Sequence, residues 1–140
     1  MKKILLLIMI VSTSFAFSQT KTASVTGNWS NNATWGGEDP PMAMHDVIIN
    51  SNITVVIDAE ALCNSITSGS GSVIYVNNPL TIAGGANSSL GSSSTTFVNN
   101  TLKFQAGNLE NSGDLNVSKG SQVIFSDTNS QITNNGEIQL

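Results

Sequence analysis

Apolar and polar residues alternate along most of the chain in short bursts. Leu80-Thr81-Ile82, Leu102-Lys103-Phe104, Leu115-Asn116-Val117 and Ile138-Gln139-Leu140 each set two apolar side chains around a polar or charged one. A period of two turns one face of a strand inward, so each burst predicts a short, half-buried strand. Asn-Asn, Asn-Ser-Gly and Gly-Ser punctuate the strands, and nothing with helical spacing separates them. The bursts also repeat. Leu109-Glu110-Asn111-Ser112-Gly113-Asp114-Leu115-Asn116-Val117 superposes on Ile132-Thr133-Asn134-Asn135-Gly136-Glu137-Ile138-Gln139-Leu140 at an offset of 23. Asn77-Asn78-Pro79-Leu80-Thr81-Ile82 superposes on Asn99-Asn100-Thr101-Leu102-Lys103-Phe104 at 22, and the same offset links Ile53, Tyr75 and Phe97, and Leu80, Leu102 and Ile124.

A unit this short cannot bury its apolar face alone, whereas stacked units share one continuous core. The repeat therefore predicts an all-β fold, a right-handed single-stranded parallel β-helix (β-solenoid) of about four coils with an N-terminal cap. Handedness here follows only from the general rule for parallel crossovers. Ile53, Tyr75, Leu80, Phe97, Leu102, Leu115, Ile124 and Ile138 are the expected structural repeat core. An antiparallel sandwich also suits closely spaced strands, but it gives no reason for offsets of 22 and 23. A leucine-rich repeat has a similar period, yet its Leu-x-x-Leu-x-Leu pattern is absent.

The chain divides into three segments. Lys2 and Lys3, the apolar run Ile4 to Val11 and the small residues Ala16 and Ser18 have the layout of a secretory signal peptide over residues 1–18. The apolar run is too short for a bilayer span, which needs about 20 residues, so no membrane span is expected after cleavage. Residues 19–45 stand outside the repeat and are expected to cap the first coil, since a bare solenoid end exposes core and unpaired strand edges. Residues 46–140 form the coils. By the pattern, Ile138-Gln139-Leu140 lie in mid-strand, which reads as an uncapped C-terminal coil, a truncated fragment or a short relative, open to end-to-end self-association.

Composition fits stacked turns. From Gln19 onward there are 122 residues, of which 17 are Asn, 17 Ser, 12 Thr and 12 Gly, all weak helix formers. Asn pairs at equivalent corners of successive coils are expected to stack as ladders of amide hydrogen bonds, as identical side chains do in cross-β assemblies. Over the same stretch Lys21, Lys103 and Lys119 face nine acids, and the chain has no Arg. That excludes a nucleic-acid partner, because phosphate neutralisation needs clustered cations. Cys63 is the sole cysteine, so no internal disulfide is available.

The segment Gly27-Asn28-Trp29, Thr34-Trp35-Gly36-Gly37, Pro40-Pro41, His45-Asp46-Val47-Ile48-Ile49, Ile53-Thr54-Val55 and Cys63-Asn64-Ser65-Ile66 resembles the start of large Bacteroidetes surface β-helix proteins. These begin with an ordered Gly-x-Trp, Thr-Trp, Pro, Asp-Asp-Val-x-Ile, Val-Thr-Val, Cys-x-x-Leu progression. It is also distantly similar to the eight-glycine extracellular domain family. The match covers about residues 25 to 68, and His45-Asp46 stands where the family has two acids. The resemblance implies export, a secreted or outer-surface location, adhesion or carbohydrate contact, and a C-terminal sorting domain that these 140 residues do not contain.

Two sets of cap residues are candidates for chemistry. Trp29 and Trp35 suit either a platform for a sugar ring, giving a carbohydrate-binding accessory domain, or a plug for the coil end. Asp39 and Asp46, with Glu38 and His45 nearby, are candidate oxygen ligands for a metal ion, although the spacing of known calcium loops is missing; the alternative is solvated cap charge. Asp114 and Glu137 are equivalent by the 23 offset but follow glycines in turns. The scattered acids favour no catalysis, and no cofactor is expected. Irregular threonines do not form the outward rows of an ice-binding solenoid. The sequence therefore reads as a non-catalytic structural or adhesion module, with glycans or other cell-surface polymers as partners.

Overall fold

A computed structural model describes residues 19–140; the signal peptide expected over residues 1–18 lies outside them. The chain winds through three faces. An opening rung is formed by β1 (Gln19–Ala23), β2 (Gly27–Asn28) and a 3-10 turn over Asn32–Trp35. Four complete coils follow. The first holds β3 (His45–Ile49), β4 (Thr54–Ile57) and β5 (Ala61–Cys63), the second β6 (Ser65–Ser68), β7 (Val73–Val76) and β8 (Leu80–Ile82). The third holds β9 (Ser88–Leu90), β10 (Thr95–Val98) and β11 (Thr101–Phe104), the fourth β12 (Leu109–Asn111), β13 (Asp114–Val117) and β14 (Gln122–Phe125). β15 (Ile132–Asn134) and β16 (Glu137–Gln139) begin a further rung.

Every pairing between these strands is parallel and joins a strand to its counterpart in the next coil. The result is three sheets, with orders β1-β3-β6-β9-β12-β15, β2-β4-β7-β10-β13-β16 and β5-β8-β11-β14. This is the β-solenoid of about four turns that the repeat predicts. The 19–45 segment joins the stack directly, because β1 pairs with β3 and β2 with β4.

The coils are unequal. On the second sheet Thr54 pairs with Val73, Val73 with Thr95, Thr95 with Asp114 and Asp114 with Glu137, steps of 19, 22, 19 and 23 residues. Leu80, Leu102 and Leu115 are buried as expected, and Ile53 packs partly buried against the core. Tyr75, Phe97 and Ile124 are corrections. Tyr75 pairs with Val56, not Ile53, and lies in the outward row between the buried Ile74 and Val76; Phe97 continues that row. Ile124 pairs with Lys103 in an outward row, while Leu102 pairs with Val123. The uniform step of 22 differs from the true steps of 19 and 21 by odd numbers, and an odd slip turns every side chain to the opposite face. Ile138 continues the inward row of Leu115 but is 36% exposed on the last rung.

The interior is a set of matched columns. Cys63, Ile82, Phe104 and Phe125 stack on the third sheet, the two rings 5.0 Å apart and nearly parallel. On the second sheet Thr96 interrupts the column Val55, Ile74, Leu115. Its hydroxyl is buried without a partner, beside a void of about 10 Å³ walled by Ile74, Leu80, Leu102 and Phe104. A void of that size with one polar wall atom does not retain water. The amide ladders expected at the corners are present. Asn99 Nδ2 donates to Asn77 Oδ1 at 2.9 Å, and Asn111 Nδ2 to Asn134 Oδ1 at 2.7 Å.

Two predictions follow from the stacking. Thr96→Val removes an unpaired buried hydroxyl and should stabilise the fold by about 1 kcal/mol, raising the urea midpoint with the slope of the transition unchanged. Gly113 sits at the corner between β12 and β13, where an added methyl would be driven into the backbone carbonyls of Ser94 and Gly91. Gly113→Ala should lower stability by ~1–3 kcal/mol, and an unchanged urea midpoint would show that this corner yields freely.

Candidate functional site

The outer face of the second sheet carries three parallel rows of side chains. Thr54, Val73, Thr95 and Asp114 form the first, and Val56, Tyr75, Phe97 and Asn116 the second. One residue past the strand ends, Asn77, Asn99 and Ser118 form the third. Asn99 Oδ1 accepts from the Ser118 hydroxyl at 2.6 Å, so this row is tied together by its own side chains. The Tyr75 and Phe97 rings lie 5.0 Å apart and 9° from parallel, close to the ~4.8 Å rise between rungs. They form a partly exposed aromatic ridge between a hydroxyl-bearing row and an amide row. The strands β7 and β10 themselves carry no charged side chain, and Asp58 and Asp114 bracket them on the neighbouring rungs.

The cap places the sequence-derived candidates elsewhere. Asn31 caps the 3-10 turn by accepting from the Ala33 N–H, and Thr34 Oγ1 donates to the Asn28 carbonyl at 2.8 Å. This turn carries Trp35 back over Trp29. The two rings meet edge to face at 5.1 Å, and Trp35 Nε1–H donates to the Trp29 carbonyl at 2.7 Å. Each tryptophan is only 3% exposed, so stacking a sugar ring on either requires the cap to open. Beside them an apolar depression of about 410 Å³ is lined by Trp29, Pro40, Pro41, Met42, Glu60 and Leu62.

The candidate metal ligands are not brought together. Asp39 is exposed and accepts from Asn32 Nδ2 at 3.4 Å. Asp46 accepts from Asn64 Nδ2 at 2.7 Å and the Ser65 hydroxyl at 2.6 Å, which ties the first coil to the second. Among the described residues no group of three or more His, Cys, Asp or Glu side chains is placed to hold a metal ion. His45 is buried; its Nδ1 accepts from the Met42 N–H at 2.8 Å while its backbone N–H donates to the Met42 carbonyl at 2.9 Å, which closes the loop into β3. Cys63 is fully buried in the third-sheet column, where it serves packing, and burial and the neighbouring Asp46 carboxylate push its thiol up.

Two carboxylates fasten the cap. Lys21 projects from β1 with its side chain 12% exposed and its ammonium 2.6 Å from Glu38. The hydrogen bond and charge of Lys21 hold the Glu38 carboxyl below its ordinary value of 4.5. Partial burial raises Asp58, but the Ser30 hydroxyl at 2.5 Å and N–H at 3.0 Å outweigh it and hold the carboxyl below 3.8. Comparison with protein-family models, curated proteins and solved structures gave no match, so the functional reading rests on the residues and their geometry. Among the described residues no helix is long and apolar enough to cross a membrane.

Both carboxylates are more acidic folded than unfolded. Their contribution to stability is therefore complete above the ordinary values of 4.5 and 3.8 and is lost as pH falls through the lower folded values. Trp29 and Trp35 are the chain's two tryptophans and both sit in the cap. Their emission should shift to the red at lower urea concentration at pH 3 than at pH 7. In the Glu38→Gln, Asp58→Asn double variant this difference should shrink; an unchanged difference would assign the acid sensitivity to other groups.

Proposed function

We propose that the chain is an exported, non-catalytic module that works at the cell surface or outside the cell as a structural and adhesive solenoid. The observation that carries this reading is the outer face of the second sheet. There the side chains form rows along the stack, uncharged across two consecutive rungs and bearing an aromatic ridge. Such a face offers many weak contacts to an extended partner. The interior columns supply rigidity, since 20 apolar side chains from the cap to the fourth coil form one buried cluster. The signal-like residues 1–18 and the resemblance of the cap sequence to Bacteroidetes surface β-helix proteins support export and adhesion to glycans or other surface polymers.

End-to-end stacking belongs to the same proposal. The last described rung has an apolar hollow of about 460 Å³ lined by Leu115, Val123, Phe125, Ile132 and Ile138. A further β rung placed on it would bury these side chains and extend the open edges of β14, β15 and β16.

Export and adhesion are measured together. In a Gram-negative host the chain should lose its first 18 residues and accumulate outside the inner membrane, and beads coated with it should be retained on polysaccharide-bearing surfaces. An unprocessed cytoplasmic product, or beads that no surface retains, would overturn the reading.

A further inference from the structure

We infer that the outer face around Tyr75 and Phe97 is a binding site for a neutral glycan lying along the solenoid axis. This rests on the adhesive reading above and names its ligand class and its location, away from the cap tryptophans. Three observations carry it.

The first is the placement of the rings. Inward rows of β7 and β10 are filled by Ile74, Val76, Thr96 and Val98, so Tyr75 and Phe97, which alternate with them, are left on the outside. Stacked at 5.0 Å, they stand as a rigid ridge, and a stacked pair loses less side-chain freedom on binding than two independent rings. The Tyr75 hydroxyl makes no hydrogen bond to another described residue, which leaves a donor and acceptor at the ridge crest.

The second is the flanking chemistry. Thr95 lies on one side of the ridge, and the Asn77 and Asn99 amides on the other are held by the ladder that ends at Ser118. A sugar has one apolar face of C–H groups and an equatorial rim of hydroxyls. A ridge of aromatic carbon between the Thr95 hydroxyl and a row of held amides complements both. Protein partners gain most from broad apolar burial with an anchored centre, which two half-buried rings beside a row of amides do not provide.

The third is charge. On the second sheet β7 and β10 carry no charged side chain; the charge of the third coil, Lys103, lies on β11 of the third sheet, and the carboxylates nearest along the stack are Asp58 and Asp114. They repel a uronic-acid or sulfated polymer and leave a neutral one unaffected.

Tyr75 is the only tyrosine in the chain, so a protein labelled with carbon-13 in tyrosine rings gives one ring signal set that reports on this face in the unaltered fold. Neutral oligosaccharides cut from cellulose, xylan, mannan and chitin are titrated in, with oligogalacturonate as the acidic counterpart. At least one neutral probe should shift the Tyr75 ring signals saturably, with the same midpoint as its calorimetric binding curve, and oligogalacturonate should not. The Tyr75→Ala, Phe97→Ala double variant, checked for a native circular dichroism spectrum, should bind about tenfold or more weakly.

Binding seen by calorimetry without movement of the Tyr75 signals would place the glycan elsewhere and overturn the inference while leaving the adhesive reading intact. Ring signals that move with protein concentration alone, together with a dimer in sedimentation, would make this face a contact between copies. If no neutral probe binds, the inference fails; if the coated beads are also retained nowhere, the broader reading fails with it.

Discussion

Each strand of this solenoid sits in register over its counterpart in the next coil, and that parallel stacking constrains everything else. Strands about 4.8 Å apart bring equivalent side chains into contact whatever their chemistry. Apolar residues gain from meeting their own kind, as the Phe104 and Phe125 rings do at 5.0 Å. Amides also gain, because each carries a donor and an acceptor, as Asn99 shows by donating to Asn77 and accepting from Ser118. Charges of one sign do not gain. The scarcity of charged residues and the abundance of Asn, Ser, Thr and Gly are thus consequences of stacking like on like.

The same constraint accounts for where ion pairing is found. Among the described residues the Lys21–Glu38 pair joins the first rung to the cap loop, where the chain leaves the repeat and has no counterpart beneath it. Ser30 and Asp58 play a related role, joining the end of β2 to the end of β4. The cap fixes its position with an ion pair and a capped turn, whereas the coils rely on parallel strand pairing and a continuous buried core. Trp29 and Trp35 close the opening rung by edge-to-face contact, an arrangement that a stacked column would not produce.

The fold was legible in the sequence because stacking leaves a repeat. Leu80 with Leu102 at 22 and Leu115 with Ile138 at 23 are true partners, and they suffice to define coils. The faces were less legible, because corners vary in length while strands do not. One residue, Asn64, separates β5 from β6, whereas six separate β14 from β15. An odd change in corner length reverses the apparent face, which is how Tyr75 aligned with Ile53 and Ile124 with Leu102. Val73-Ile74-Tyr75-Val76 is apolar at every position and fixes no phase of its own. The phase was present two coils on: Asn116 occupies the column of Tyr75 and Phe97, while Leu115 occupies that of Ile74. Reading down columns places the rings outside where reading along the strand does not.

A surface site on such a fold is written across coils. Neighbours in one row are 19 to 23 residues apart in the chain, and neighbours in adjacent rows are two apart. Tyr75 and Phe97 therefore share a site with Asn77 and Asn99 without any contiguous motif. The residues that stand out along the chain lie in the cap instead, where Trp29, Trp35, Asp39 and Asp46 cluster within 18 positions. There the structure uses the bulky and charged residues to close and fasten the coil end. A residue type that would signal chemistry in a globular pocket thus serves packing in the cap, and the face that can bind is composed of residues that look like core until their register is known.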